Sequence, residues 1–432
     1  MTAVQPGGHQ RGTPAPRPAA GTAAIVHPYS TGRHLAGILR GRNWHAVAVL
    51  PGEPLAVHDH ASFQPGDYAA VVTDHEDPAG TAAGLAALGV SAVIAGTESG
   101  VPLADALAAK LGAPGNDPAT SQARRHKGEM AEALARAGLA RPRTIRAATL
   151  LQAQAAAMAI GGTVVVKPAD SAGSEDVVIC QGIQDVAAAW QGAAGRVNLM
   201  GLRNDELLIQ EYLRGRQFVV NTVSVQAGPG GRPWHYVAEV WLDRRRPAGG
   251  GRLVYDRADL LTSQDPRAVQ MTGYIQRVLT ALGITAGPAH CEAMLTSRGP
   301  VLIEAAARLA GMVEPEATRL ALGASQADLA AEAATDPAGF ASRHKNPYTR
   351  LARATQVALI APRPGILSPQ VLTAIVTLPT ACGWSGHAEP GGKVLQTVDL
   401  VTSPGRVHLA GPAAQVAADV IRIRQLEREL YR

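Results

Sequence analysis

The segment TVVVKPADSAGSEDVVIC, residues 163–180, closes an apolar run with Lys167 and continues into small residues from Asp170 to Ser174. A cation at the end of a buried strand, beside a loop whose glycine lets backbone N–H groups come close, is an arrangement that holds phosphate. The same letters also fit a surface hairpin with a solvated lysine. A second group lies in GPAHCEAMLTSRGPVLIEAAARLAG, residues 287–311. Strand alternation puts His290, Glu292 and Met294 on one face, and a turn centred on Arg298 sets Glu292 opposite Glu304. Two carboxylates about 5 Å apart across a sheet repel one another. A hard divalent cation removes the conflict; a solvated, screened pair is the competing reading. Arg308 shares the face of Glu304 if the strand continues, either as a bidentate holder of carboxylate or phosphate or as a simple ion-pair partner of Glu304. Lys127 and His290 say less alone, because a solvated lysine and a hydrogen-bonded structural histidine are the ordinary cases.

These residues need elements to position them. From Thr22 to Asn116, short apolar runs (AAIVHPY, HAVAVL, YAAVVT, SAVIAG) alternate with Ala-rich helical stretches, which predicts a parallel α/β sheet. Asp117-Pro118 opens a helix expected to run to Gly138, and Leu150 to Ile160 reads as another. The texture then turns to strands: VVVK to VVIC, LLIQEYLRGRQFVVNTVSVQ as strand–turn–strand, and a hairpin from Pro288 to Ala305. A helix from Met271 to Gly283 precedes that hairpin. Shorter strands and a final amphipathic helix complete the chain.

A chain of 432 residues is too long for one core. The excess of 40 Lys and Arg over 35 Asp and Glu is small and scattered, which excludes a nucleic-acid stripe but suits a polyanionic small ligand. Three cysteines without a CxxC pair argue against a disulfide framework or structural zinc and for a reducing, cytoplasmic setting. No run of about 18 apolar residues suggests a membrane span, and residues 1–21 read as a flexible tail. GxxxxGK[ST], GxGxxG after a first strand, and HExxH are all missing from the sequence, which removes P-loop, dinucleotide and zinc-hydrolase readings.

The order of the pieces carries a resemblance. Lys127, then VVVKPADSAGS, then QEYLRGRQF, then GPAHCE with LIEAAARLAG, resembles the ATP-grasp superfamily from about Ala23 onward, and within it the dipeptide-forming amino-acid ligases. The resemblance implies an ATP-dependent ligase that activates a carboxylate as an acyl-phosphate and joins it to an amine. It implies that Lys127 and Lys167 hold ATP phosphates and that Asp170, Ser171, Ala172, Gly173 and Ser174 form a closing loop. Gln210, Glu211, Tyr212 and Leu213 would meet adenine, with Gln217 at the ribose position. Glu292 and Glu304 would bind Mg²⁺, with Mn²⁺ able to substitute, and Arg308 would steady the acyl-phosphate. His290 would lie beside substrate; Trp241, Arg244 and Tyr255 would line it, unless VWLDRRRPAGGG is only an exposed charged loop. Two departures stand out: Ala306 where many members have a metal-binding Asn, and Gln217 where they have Glu. The implied architecture is a multidomain α/β and α+β chain. It has an N-terminal α/β domain (22–120), a two-lobed core (121–330, small lobe about 150–212) and a C-terminal domain (331–432) completing the site. Partners would be small carboxylates and amines, amino acids foremost, with a homodimer as the family-level expectation. A nucleotide-binding regulator without turnover and a phosphotransferase to a stable acceptor are the alternatives.

Overall fold

The computed structural model describes residues 19–53, 62–171, 173–226, 232–249, 252–386 and 388–431. Three sheets organise the chain. In the first, β1 (Gly21–Val26), β2 (Trp44–Pro51), β3 (Ala70–Asp74) and β4 (Val90–Ala95) are parallel in the order β3-β2-β1-β4. Ala23 to Val26 are fully buried, as the unbroken apolar run requires of a strand covered on both faces. β1 begins at Gly21, so the last residue assigned to the tail is already strand. The helix Val101–Leu111 stops at Gly112, whose φ of 65° is the left-handed cap geometry glycine adopts freely.

The expected single helix from Asp117 is in fact two pieces. Asp117 caps a 3₁₀ segment, Pro118–Arg124, and the chain restarts as the helix Lys127–Arg136 with the His126 ring accepting from Glu129 N. The break is fixed from outside: Lys127 N donates to Ala169 O at 2.9 Å, tying the helix start to the end of the strand Val164–Pro168.

The second sheet is small and antiparallel: β5 (Thr144–Ala147), β6 (Val164–Pro168), β7 (Val178–Cys180) and β8 (Leu207–Glu211), ordered β5-β8-β6-β7. Helices Leu150–Ile160 and Ile183–Ala193 pack on it around Val166, Leu207 and Ile209. Together these elements form one lobe.

The third sheet has eight strands. Its first five are β9 (Gly215–Gln226), β10 (Pro233–Gly249), β11 (Arg252–Leu260), β12 (Gly287–Thr296) and β13 (Gly299–Ala306). Then come β14 (Arg353–Ala358), the short β15 (Gly365–Ile366), β16 (Ala381–Gly386), the short β17 (Lys393–Val394) and β18 (Gly405–Gly411). The order β13-β12-β9-β10-β11-β14-β18-β16 runs through the sheet without a break, β15 and β17 pairing separately. A boundary at residue 330 therefore divides sequence but not hydrogen bonding, since β11 pairs with β14. The segment VWLDRRRPAG, considered above as a loop, is instead strand, paired with β9 and β11. The helix Gln326–Thr335 lies between the first and third sheets. Its Gln326 side chain donates to Thr222 O and Ala289 O and accepts from Ala310 N. No described helix is long and apolar enough to cross a membrane.

Candidate active site

The acidic hairpin comes first. Its turn is the two-residue loop Ser297-Arg298, with Thr296 opposite Gly299. Continued regularly, that register would set Glu292 against Ile303 and turn Glu304 to the other face. A bulge at Ile303 shifts the register by one, and Glu292 then pairs with Glu304. The pairing expected from the sequence is present, but through a bulge and not through a turn centred on Arg298.

Both carboxylates face a cleft of about 710 Å³ between the small antiparallel sheet and the eight-stranded one. Lys127, Lys167, Ser171, Ser174, Gln210 to Leu213 and Gln217 line it too. Lys127 Nζ lies 3.3 Å from Glu304 Oε2 and donates to Ser171 O at 2.6 Å. Lys167 is 4% exposed, and its ammonium is lowered to about 8 by burial first and by Lys127 second, with Glu304 and Glu292 pulling the other way. Glu292 is nine-tenths covered. Burial alone would raise its pKa, but His290, Arg245 and Arg406 outweigh that and hold it well below the usual carboxylate range.

The loop after Lys167 is pinned at several points. Asp170 pairs with Arg125 at 2.8 Å, and Ser171 Oγ donates to Glu175 Oε2 at 2.5 Å. Gly173 and Ser174 both take positive φ, 68° and 65°, and Gly173 O accepts from Leu400 N at 3.2 Å. Ala172 lies outside the described residues. Gln210 donates to Thr144 Oγ1, and Glu211 pairs with Arg298 at 2.6 Å. Gln217 does not stand free: its amide donates to Glu292 Oε2 at 2.6 Å.

A smaller pocket of about 100 Å³ opens behind the cleft and shares Asp243, Tyr255, Glu292 and Glu304 with it. His290, Arg308 and Trp241 line this inner pocket. Arg308 pairs with Glu98 at 2.7 Å and donates to Leu309 O, so the Glu304–Arg308 ion pair does not form and the guanidinium is held from the N-terminal sheet's side. Trp241 is 2% exposed and forms a wall. Tyr255 lies under two guanidiniums, Arg245 at 3.4 Å and Arg406 at 4.7 Å from the ring centre. Arg244, expected at the substrate, borders the cleft but is about half exposed and paired with Asp259. Its neighbour Arg245 turns inward, onto Asp243 at 2.7 Å and Glu292 at 3.5 Å.

Two residues that the sequence did not single out, Glu239 and Asn221, complete the site. With His290 they stand side by side on β10, β9 and β12. Asn221 Nδ2 donates to Glu239, which orients the amide so that its Oδ1 accepts from His290 Nδ1 at 2.8 Å. His290 thus donates from Nδ1 to Asn221 and turns Nε2 toward Glu292, 3.6 Å away. Glu239 is fully enclosed, and burial pushes its carboxyl up. The signal was in the letters: Asn221 is an amide inside the apolar strand FVVNTVSV, and a polar side chain in a buried strand must find a partner.

Comparison with known proteins agrees with this geometry. The family model described as an ATP-grasp domain matches residues 160–316. A dapdiamide A synthase from Enterobacter agglomerans is 31% identical over 350 residues, covering 79% of this chain and 80% of that protein. The chain belongs to the ATP-grasp family. It is an ATP-dependent ligase that joins a carboxylate to an amine through a C–N bond. In fold, this ATP-grasp ligase is similar to the crystal structure of an L-amino acid ligase from Bacillus licheniformis. There the TM-score is 0.73 at 16% identity, over 95% of this chain and 98% of that one. It is also similar to an N5-carboxyaminoimidazole ribonucleotide synthetase in complex with ADP (TM-score 0.68, 13% identity, 95% and 98% covered).

Whether the residues present suit a divalent cation can be asked of their chemistry. Glu292 and Glu304 offer hard carboxylate oxygens, directly paired across two strands, which is the donor type Mg²⁺ selects. Among the described residues no third His, Cys, Asp or Glu joins them, and Ala306 adds nothing, so the two glutamates would hold the ion and its other ligands would come from phosphate oxygens and water.

Proposed function

We propose that this ATP-grasp ligase activates the carboxylate of an amino acid or similar small acid as an acyl-phosphate and passes it to the amino group of a second amino acid. One observation carries the reading: Lys127, Lys167, Glu292 and Glu304 face a single nucleotide-sized cleft between two sheets, although they come from three separate stretches of chain. The L-amino acid ligase and dapdiamide synthase relatives support amino acids as the substrate class.

In this reading ATP enters the cleft with its adenine at Gln210–Leu213 and its phosphates toward Lys127, Lys167 and the Asp170–Ser174 loop. Glu292 and Glu304 would hold Mg²⁺, or Mn²⁺ in its place, which lowers the charge cost of bringing a carboxylate to the triphosphate. The substrate carboxylate oxygen attacks the γ-phosphorus, the bond to the β,γ-bridging oxygen breaks, and ADP departs. Such a transfer depends on positioning and charge, for which two lysines and the pinned side chains of Asp170 and Ser171 are suited. The amine nitrogen then attacks the carbonyl carbon, Arg308 stabilises the oxyanion from the inner pocket, and phosphate leaves with the former acyl oxygen. His290, its Nδ1 committed to Asn221, offers Nε2 to the incoming amine.

Glu304→Ala tests the assignment. It should lower amine-dependent ADP and phosphate release at least about 100-fold, the scale of losing a principal transition-state charge contact, while circular dichroism stays unchanged. Turnover near wild type would remove the metal role.

A further inference from the structure

The inner pocket is lined by three arginines, Arg257, Arg308 and Arg406, and by the carboxylates of Asp243, Glu292 and Glu304, and the partners of these groups are unevenly shared. Arg308 is tied to Glu98. Arg257 on β11 and Arg406 on β18 line the same pocket from the opposite side, with Gln356 of β14 between their strands. Arg257 shares one carboxylate, Asp259, with Arg244 at 3.2 Å and Arg353 at 2.9 Å, its own Nε standing 3.3 Å away. One negative charge faces three guanidiniums, and the buried Arg257 Nε makes no hydrogen bond.

Arg406 is the clearer case. Among the described residues it forms no ion pair; it rests over Tyr255 and donates to Gln356 Oε1 at 3.4 Å. It acts on Asp243 and Glu292 only at longer range. Asp243 is already engaged by Arg245, and a cation held by Glu292 would take up the other charge. A guanidinium held over an aromatic ring and by one amide oxygen, with no carboxylate partner, keeps donors free for an oxyanion, which the planar fork can receive bidentately.

We infer that Arg406, supported by Arg257, is a clamp for a substrate carboxylate that does not itself react, so that one of the two substrates must carry an anionic group beyond its reacting atom. The inference rests on the ligase reading above and adds a requirement to it. The pocket's about 100 Å³ suits a small organic acid. The anion has two sources: the α-carboxylate of the amine donor, or a second carboxylate on the acyl donor.

The test uses the full chain with ATP and Mg²⁺. A phosphate-release screen pairs the twenty proteinogenic L-amino acids as amine donors with the same set plus succinate as acyl donors. For each productive pair, one arm replaces the amine donor by its primary amide. The other replaces a dicarboxylic acyl donor by its monoamide (succinamate for succinate, asparagine for aspartate, glutamine for glutamate). Wild type should prefer the free acid by about 10- to 100-fold in kcat/KM in one arm, the worth of a charge-assisted contact. In Arg406→Gln that preference should collapse to about threefold or less, while the KM for ATP stays within about twofold. Arg406→Lys should keep part of it, since charge remains and the fork is lost. Arg257→Gln should erode the same preference and serves if Arg406→Gln folds poorly. Equal use of acid and amide by wild type in both arms, or full preference retained in Arg406→Gln, overturns the clamp while leaving the ligase reading intact. No turnover with any pair overturns the amino-acid reading, and the clamp with it.

Discussion

Lys167 shows how far one side chain's chemistry depends on where the fold puts it. Its ammonium is enclosed on the cleft wall and titrates near 8 instead of 10.5. Below about pH 8 the lysine is charged in folded and unfolded chains alike, and the fold bears the full cost of burying a cation. Between about 8 and 10.5 only the unfolded chain keeps the proton, so raising the pH stabilises the nucleotide-free fold relative to a variant without the amine. Thermal unfolding of wild type and Lys167→Met from pH 7 to 10 should therefore diverge in favour of wild type as pH rises. A pH-independent gap would disprove the shift. A triphosphate reverses the balance because it wants the charged lysine. ATP affinity should weaken above pH 8, and Lys167→Ala should weaken it about 10- to 100-fold at pH 7 by equilibrium titration, the loss of a charge-assisted hydrogen bond. Residue types made Lys167, Glu292, Glu304 and Arg308 legible in the sequence. Their partners were not: Arg308 answers to Glu98, some two hundred positions away, and Gln217 to Glu292. No local pattern encodes such meetings.

At the scale of elements, alternation was enough to find the acidic hairpin but not its bulge. The period-2 rule assumes a regular ladder, and the one extra residue at Ile303 is invisible to it. The 3₁₀ break before Lys127 was hidden for a related reason: the propensities of PATSQARRHKGEM fit one helix, and the bond from Lys127 N to Ala169 O that ends it is tertiary. β10 was hard to read because DRRRPAG carries charge on both faces; the inward Arg245 and outward Arg244 separate only once the sheet is built. The loop after Lys167 supplies a prediction at this scale. Gly173 holds φ near 68° while its carbonyl accepts from Leu400 N. An added Cβ there meets Leu400 only at van der Waals distance, so Gly173→Ala costs mainly backbone strain, about 1 kcal/mol. A fall of about fivefold in kcat, with the melting temperature lowered by no more than about 2 °C, is expected if this geometry is the catalytic one; an unchanged kcat would show that the loop works in another conformation.

Across the whole molecule, the parallel first sheet was readable from the alternation of apolar runs and helices, and the two-lobed core only from the family resemblance. The joint between them was not. Arg124, with no solvent exposure, bonds Asp105 through Nε and Nη2 and donates to Leu282 O, Thr120 and Asp117 O. It bolts the N-terminal helix layer to the end of the helix Pro266–Ala281. Removing the acid strands a buried cation, so Asp105→Ala should cost about 3–5 kcal/mol in urea unfolding. A loss below about 1 kcal/mol would mean that water reaches the joint.

The pairing of β11 with β14 has a bearing on how the protein can be cut. A stop codon or protease nick near Arg350 would take away the clamp arginine on β18 and leave a bare row of peptide groups along β11, the kind of edge that recruits other chains. Shortened forms should accumulate as insoluble material and not as slower enzymes, because the strands after Arg350 complete the sheet that carries the site.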